Sequence, residues 1–347
     1  MEILLPIAGV KVNIFVILSL GIFVGFLSGL LGIGGGIILN PALIKLGIPP
    51  IVTVGTSISQ MVGATVSGFL AHLKLKNIDI KLGIYMVIAG FIGGGIGVYL
   101  TKVLEDAGMF REVLLSLYSF YLGFTGLTML IDVIKGKREK KGSKLLKLLE
   151  NLPFKVSFES GTISVFIPIG IGFIAGFLAA VMGVGGGFVI IPALIYLAGF
   201  PVHKAVGMSL FQMIFVTSFL TYFHATINFG VDIVLSLLLM FGSSFGAVFG
   251  AAFGQKIKKE YTKFILAVIV TSVALLSMYQ LFFEKGNEKK VDTMVLLDNP
   301  IAKFAYENPS LYAILTIFVS IVFGTIISIL THRLKVLVEI KLERLRR

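Results

Sequence analysis

The chain has 347 residues, of which 56% are hydrophobic and only 14% charged, with a mean hydropathy of +0.99. Soluble domains carry roughly a quarter charged residues, so this composition excludes a soluble globular domain and indicates a membrane protein. The net charge of +12 sits beside apolar segments, where anionic lipid fits as partner and nucleic acid does not. Cysteine is absent, which excludes disulfides, a thiolate metal site and a cysteine nucleophile.

Taken in chain order, nine apolar segments are predicted, at about 12–47, 52–73, 81–101, 112–134, 162–198, 203–228, 232–254, 262–283 and 309–332. The first follows Glu2 instead of a basic stretch and is too long for a secretory leader. The first and fifth also exceed a simple span. Each is interrupted by glycines: Gly32, Gly34, Gly35 and Gly36 in one, Gly183, Gly185, Gly186 and Gly187 in the other. Consecutive glycines weaken a helix by roughly 1 kcal/mol each, and a bilayer tolerates unwound backbone only where protein or a watery cavity covers it. Each segment is therefore expected to be a helix that enters, breaks, and continues as a short second helix ending near Gly47 or Gly199.

The two breaks belong to a repeat. GFLSGLLGIGGGIILNPALI (Gly25 to Ile44) answers GFLAAVMGVGGGFVIIPALI (Gly176 to Ile195), VGTSISQM (Val54 to Met61) answers VGMSLFQM (Val206 to Met213), and His72 answers His224. The predicted organisation is a first repeat at 1–134, a basic cytoplasmic linker at 135–160, a second repeat at 161–284, an external loop at 285–308, and an extra membrane helix with a basic tail at 309–347. Within the linker, SKLLKLLENL has the spacing of a short amphipathic helix lying on the membrane.

Basic residues set the topology. If each broken segment crossed the bilayer once, the charges would show no sidedness. If each is re-entrant, 22 of the 30 basic residues share one face and 8 the other, as the positive-inside rule requires. Each half then holds one re-entrant hairpin and three spans, so the halves are inverted relative to each other. The predicted fold class is an all-α polytopic membrane protein of two inverted repeats plus one extra C-terminal transmembrane helix. It would be multi-pass in the cell membrane, with the N-terminus outside and the C-terminus in the cytoplasm.

The paired glycine signatures, each followed by a VGTS or VGMS segment with a glutamine, resemble the sulfite exporter TauE/SafE family from about residue 10 to residue 285. That resemblance implies a secondary transporter or facilitator for small sulfur-containing or organic anions such as sulfite or sulfoacetate. The residues themselves point to an anion as well. A helix restarting after a break offers unpaired N–H groups and the positive end of its dipole, and glycine lets an oxyanion approach that backbone. The candidate substrate-binding residues are Gly34, Gly35, Gly36, Ser57 and Gln60 in the first half, and Gly185, Gly186, Gly187, Ser209 and Gln212 in the second. Ser57, Gln60 and Ala64 share one helical face, and Ser209 with Gln212 repeats it. Against this stand close helix packing for the glycines and interhelical hydrogen bonding for the glutamines.

His72 and His224 are the matched titratable pair, with gating or proton relay set against an anchoring role at opposite faces. Asp79 and Asp232 also align, each at a segment start, and are expected to cap helices. Acidic residues lie only in loops or at segment ends, which argues against a cation pump. No Walker loop or HExxH motif occurs, the histidines number four and the acidic residues are peripheral, so neither ATP hydrolysis nor intramembrane catalysis is expected, and no cofactor or metal is called for. The alternatives to a carrier are an anion channel on the same scaffold, an intramembrane enzyme, and a non-transporting scaffold. A homodimer is the assembly left open.

Overall fold

The computed structural model describes residues 2–31, 35–135, 153–158, 161–254, 259–284 and 299–346. Gly32, Gly34, the amphipathic stretch of the linker and most of the 285–308 loop lie outside them. Twelve described helices follow in chain order: α1 (Ile14–Leu31), α2 (Gly36–Lys45), α3 (Pro50–Lys74), α4 (Ile80–Asp106), α5 (Phe110–Lys135), α6 (Phe166–Met182), α7 (Gly187–Ala198), α8 (Val202–Thr226), α9 (Ile233–Gly254), α10 (Lys259–Phe282), α11 (Pro300–Glu307) and α12 (Pro309–Arg346). Six of them (α4, α5, α8, α9, α10 and α12) are long and apolar enough to cross a membrane. On α4 the row Ile84, Ile88, Ile92 and Ile96 is at least 49% exposed, one turn apart, as a lipid-facing stripe should be. The protein is an all-α polytopic membrane protein.

Both breaks fall where the glycines stand. α1 ends at Leu31 and α2 begins at Gly36; α6 ends at Met182 and α7 begins at Gly187. In the second break Gly183, Gly185 and Gly186 all have left-handed backbone, with φ of 67°, 72° and 73°, which a side chain would disfavour. Three additions were not foreseen. A two-stranded hairpin, β1 (Glu2–Leu4) with β2 (Lys11–Asn13), precedes α1, another, β3 (Lys155–Phe158) with β4 (Gly161–Ser164), precedes α6, and α11 forms within the predicted external loop. Such short elements carry too little periodicity to be read from sequence.

The repeats exchange partners. α1 packs on α9 of the other half and α6 packs on α4, its equivalent contact, while α3 pairs with α8 and α5 with α10. Small residues make the exchange close: a side chain at Gly25 would collide with the Ser243 backbone, and one at Gly176 with the Gly90 backbone. Direction follows from the helix ends. Gly55, in the first turns of α3, abuts Gly230 just after α8, whereas Gly207, early in α8, abuts Asn77 just after α3. α3 and α8 therefore run antiparallel. At the Asn77 end, Lys81 Nζ donates to Ser157 O at 3.2 Å. At the other, Arg111 donates to Gln280 O at 3.3 Å.

Asp79 and Asp232 cap α4 and α9, accepting from Leu82 N (3.0 Å) and Leu235 N (3.1 Å). Asp232 also accepts from Ile7 N (2.8 Å) and Ala8 N (3.2 Å), which fastens the N-terminal segment to the second half.

Candidate functional site

The two breaks meet inside the bundle. A Cβ on Gly36 would lie 2.5 Å from Gly183 O and 2.9 Å from Val184 Cα, so only glycine permits this approach. Gly35 O accepts the first-turn N–H groups of Ile38 (3.2 Å) and Leu39 (3.1 Å). Gly186 O accepts those of Val189 and Ile190 (both 3.0 Å). The amides nearest each break thus have no helical acceptor, as at any helix start.

Beside this junction lies a cavity of about 640 Å³, walled by α1, α3, α7, α8, α9 and α12. Of the candidates, Gly35, Gln60, Gly187 and Ser209 line it, as does Ala64. Ser28, Ser243, Ser244, Thr65, Ser328 and Thr331 add hydroxyls, and among the described residues no lining residue carries a charge. Thr65, Ser243, Ser244 and Thr331 donate to backbone carbonyls of their own helices, so the space is bordered by neutral polar groups with no fixed charge of either sign among the described residues.

The remaining candidates sit elsewhere. Gly185 is covered by Met61 and Met213, and Gly186 packs 3.1 Å (as Cβ) from Ala175 O. Gly36 is buried against the second break, and Gly34 lies outside the described residues. Ser57, one turn before Gln60 on α3, does not line the cavity and donates to Asn40 Oδ1. Asn40 Nδ2 in turn lies 2.9 Å from Tyr118 Oη, 2.7 Å from Met182 O and 3.3 Å from Gly183 O. Tyr118 also donates to Met182 O. This wholly buried knot ties α2, α3 and α5 to the end of α6.

Equal positions have unequal partners. Gln60 Nε2 donates to Ser243 Oγ at 2.8 Å and borders the cavity. Gln212, its repeat mate, meets Gly90 where the first half's partner offered a hydroxyl, so its Nε2 reaches past to Gly172 O at 3.2 Å. Its role is interhelical. Thr56 and Ser59, whose repeat mates Met208 and Phe211 are apolar, find polar partners across the repeat: Thr56 Oγ1 accepts from Asp232 N (2.9 Å), and Ser59 lies 3.1 Å from Ser236 Oγ.

The histidines stand away from the cavity, at opposite ends of the bundle. His72 Nδ1 pairs with Asn77 Nδ2 at 3.2 Å. His224 Nδ1 pairs with Asn228 Nδ2 at 3.0 Å, and its Nε2 with Ala180 O at 3.1 Å. The expected hydrated anchor is corrected for His224, which is fully buried with both ring nitrogens engaged.

Reasoning from sequence missed Asn40 and Tyr118, the serines of α1 and α9, and the matched methionines Met61 and Met213 that border the cavity. Of these, only the methionines carried a visible signal, since each closes the repeated Gln-Met pair.

Comparison with known proteins agrees with the architecture. The family model described as sulfite exporter TauE/SafE matches residues 17–277. The chain is similar to the probable membrane transporter protein YunE of Bacillus subtilis, 30% identical over 220 residues, 59% of this chain and 75% of that one. It is similar also to the probable membrane transporter protein YjnA of the same organism, 25% identical over 56% of this chain and 72% of the relative. A third relative is sulfite exporter TauE/SafE family protein 3 of Arabidopsis thaliana, 28% identical over 34% of this chain and 26% of that one. No solved structure matches significantly. The chain belongs to the sulfite exporter TauE/SafE family and is a membrane transport protein, not an enzyme.

Proposed function

We propose that this chain is a carrier for small sulfur-containing or organic oxyanions, with the 640 Å³ cavity as its substrate site. The observation that carries the proposal is the lining: both glycine breaks, Gln60, and a set of hydroxyls converge on one space, with no carboxylate among the described residues. Sulfite enters as the first substrate to test because the matching family model is described by it. Closure of the bundle at the Asn40 knot favours alternating access over a continuous channel.

The halves are inverted repeats with re-entrant hairpins, a reading supported by the antiparallel course of α3 and α8 and by the 22-to-8 division of basic residues. The basic face is cytoplasmic, where it meets anionic lipid, and the N-terminus is outside. Single cysteines at Asn77 and Asn228, introduced into a chain that has none, should react with an impermeant thiol reagent from opposite sides. Reaction from the same side overturns the inverted topology.

The functional test is flux into proteoliposomes of sulfite, sulfate, thiosulfate, sulfoacetate, lactate and formate. At least one of these anions should move. Gln60→Ala should slow it by about tenfold, the effect of losing one hydrogen bond to a charged group at roughly 1.5 kcal/mol. Gln212→Ala should slow it far less. No flux of any anion, or flux indifferent to Gln60→Ala, overturns the site.

A further inference from the structure

The family match ends at residue 277, yet α12, at Pro309–Arg346, contributes Gly324, Ile327, Ser328 and Thr331 to the cavity wall. α12 is fixed there by more than apolar contact. Its first turn is pinned by Tyr312, whose hydroxyl donates to Val231 O (2.8 Å) and accepts from Ile233 N (3.2 Å). Tyr222 donates to Ser310 Oγ at 3.2 Å. Midway along, Gly324 crosses Gly63 of α3 backbone to backbone: a side chain on either glycine would collide with the other helix. That close crossing turns one face of α12 inward over α3, α8 and α9.

Ile327 on that face is 3% exposed, whereas Ile326 and Ile329 on the outward face are 50% and 54% exposed. The helix therefore has a cavity side and a lipid side. On the cavity side, Ser328 and Thr331 stand three residues apart and line the same space as Ser209 of the second repeat. Thr331 turns its hydroxyl onto Ile327 O (2.9 Å) and Ser328 O (3.1 Å), leaving the oxygen and methyl group to shape the wall.

We infer that Ser328 and Thr331 are specificity-determining residues of the transport site, supplied by a helix beyond the duplicated core. α12 closes a wall that the repeats leave incomplete, and its two hydroxyl side chains set which anion the cavity accepts. This inference rests on the proposed use of the cavity as the substrate site.

The cysteine-free chain allows a direct test. Ser328→Cys, Thr331→Cys, Ser209→Cys and Ile326→Cys are each reconstituted and treated with an anionic, impermeant methanethiosulfonate, and each is read against its own unmodified flux. Modification should abolish most of the flux at positions 328, 331 and 209, transported anion should slow that modification, and position 326 should be unaffected. Two positions on α12 keep the test informative if one variant fails to reach the membrane. A block at 209 with none at 328 or 331 overturns the role of α12 and leaves the cavity standing. No block at 209, 328 or 331 overturns the cavity itself. Ser328→Ala should also change the ratio of sulfite to lactate flux. An equal loss of both would mark Ser328 as structural and overturn its part in selectivity.

Discussion

The two glycine breaks are nearly the same in sequence and opposite in setting. Position 40 of the first half is asparagine, and its repeat mate at 191 is isoleucine. Asn40 gathers Ser57, Tyr118 and the last carbonyls of α6 into a buried polar knot, and the bundle is shut on that side. Ile191 offers no such bonds; it borders the cavity, and Ser209, the mate of Ser57, lines that cavity beside Gly187 with its hydroxyl on Met213 Sδ at 3.7 Å. Equivalent positions of the duplicated scaffold thus differ in chemistry, a polar knot at residue 40 and a cavity wall at residue 191.

The comparison can be broken at the knot. Asn40→Ile copies the second half into the first and strands the Ser57 hydroxyl and Gly183 O, while Tyr118 keeps its bond to Met182 O. Buried polar groups left without partners cost about 1–3 kcal/mol each, so a loss of roughly 3 kcal/mol or more is expected, seen as a lowered melting temperature in detergent together with lost flux. An unchanged melting temperature would deny the knot its role. Gly36→Ala comes next: its methyl group would press on Gly183 O, and overpacking of this kind costs about 2 kcal/mol.

The converse substitution sharpens the contrast. Ile191→Asn places an amide on the cavity wall, where stability should change by roughly 0.5 kcal/mol or less while flux falls as the amide competes for the site. Flux equal to that of the unmodified chain would show that the wall at 191 does not matter. The smallest effect expected is at Gly95 within α4, where a Cβ would meet nothing within 4 Å. Gly95→Ala should raise stability by up to about 1 kcal/mol and leave transport unchanged, which thermal melts and flux would check together.

Much of this arrangement was legible in the residues. The breaks, the capping aspartates and the membrane segments each follow from a local signal: glycine runs, an acid before an apolar stretch, and sustained hydropathy. The site was legible only in part because identical repeat positions meet different neighbours. Gln60 and Gln212 occupy the same place in their motifs, yet one finds Ser243 and the other Gly90, so one borders the cavity and the other bridges helices. Ser57 and Ser209 diverge for the same reason, through residues 40 and 191. The contribution of α12 was invisible because it has no repeat mate to be compared with. Asn40 and Tyr118 are 78 positions apart, and nothing local to either announces the bond between them.

The partner exchange between halves bears on biosynthesis. When the ribosome has delivered α1 to the bilayer, the glycine-lined face that will receive α9 has no counterpart for more than two hundred residues of synthesis. The nascent first half must wait, its seam occupied by lipid, until the second half arrives and the two clasp. Maturation is accordingly a late, concerted event, and fragments severed at the linker should reach their native pairing only when both are made in the same membrane.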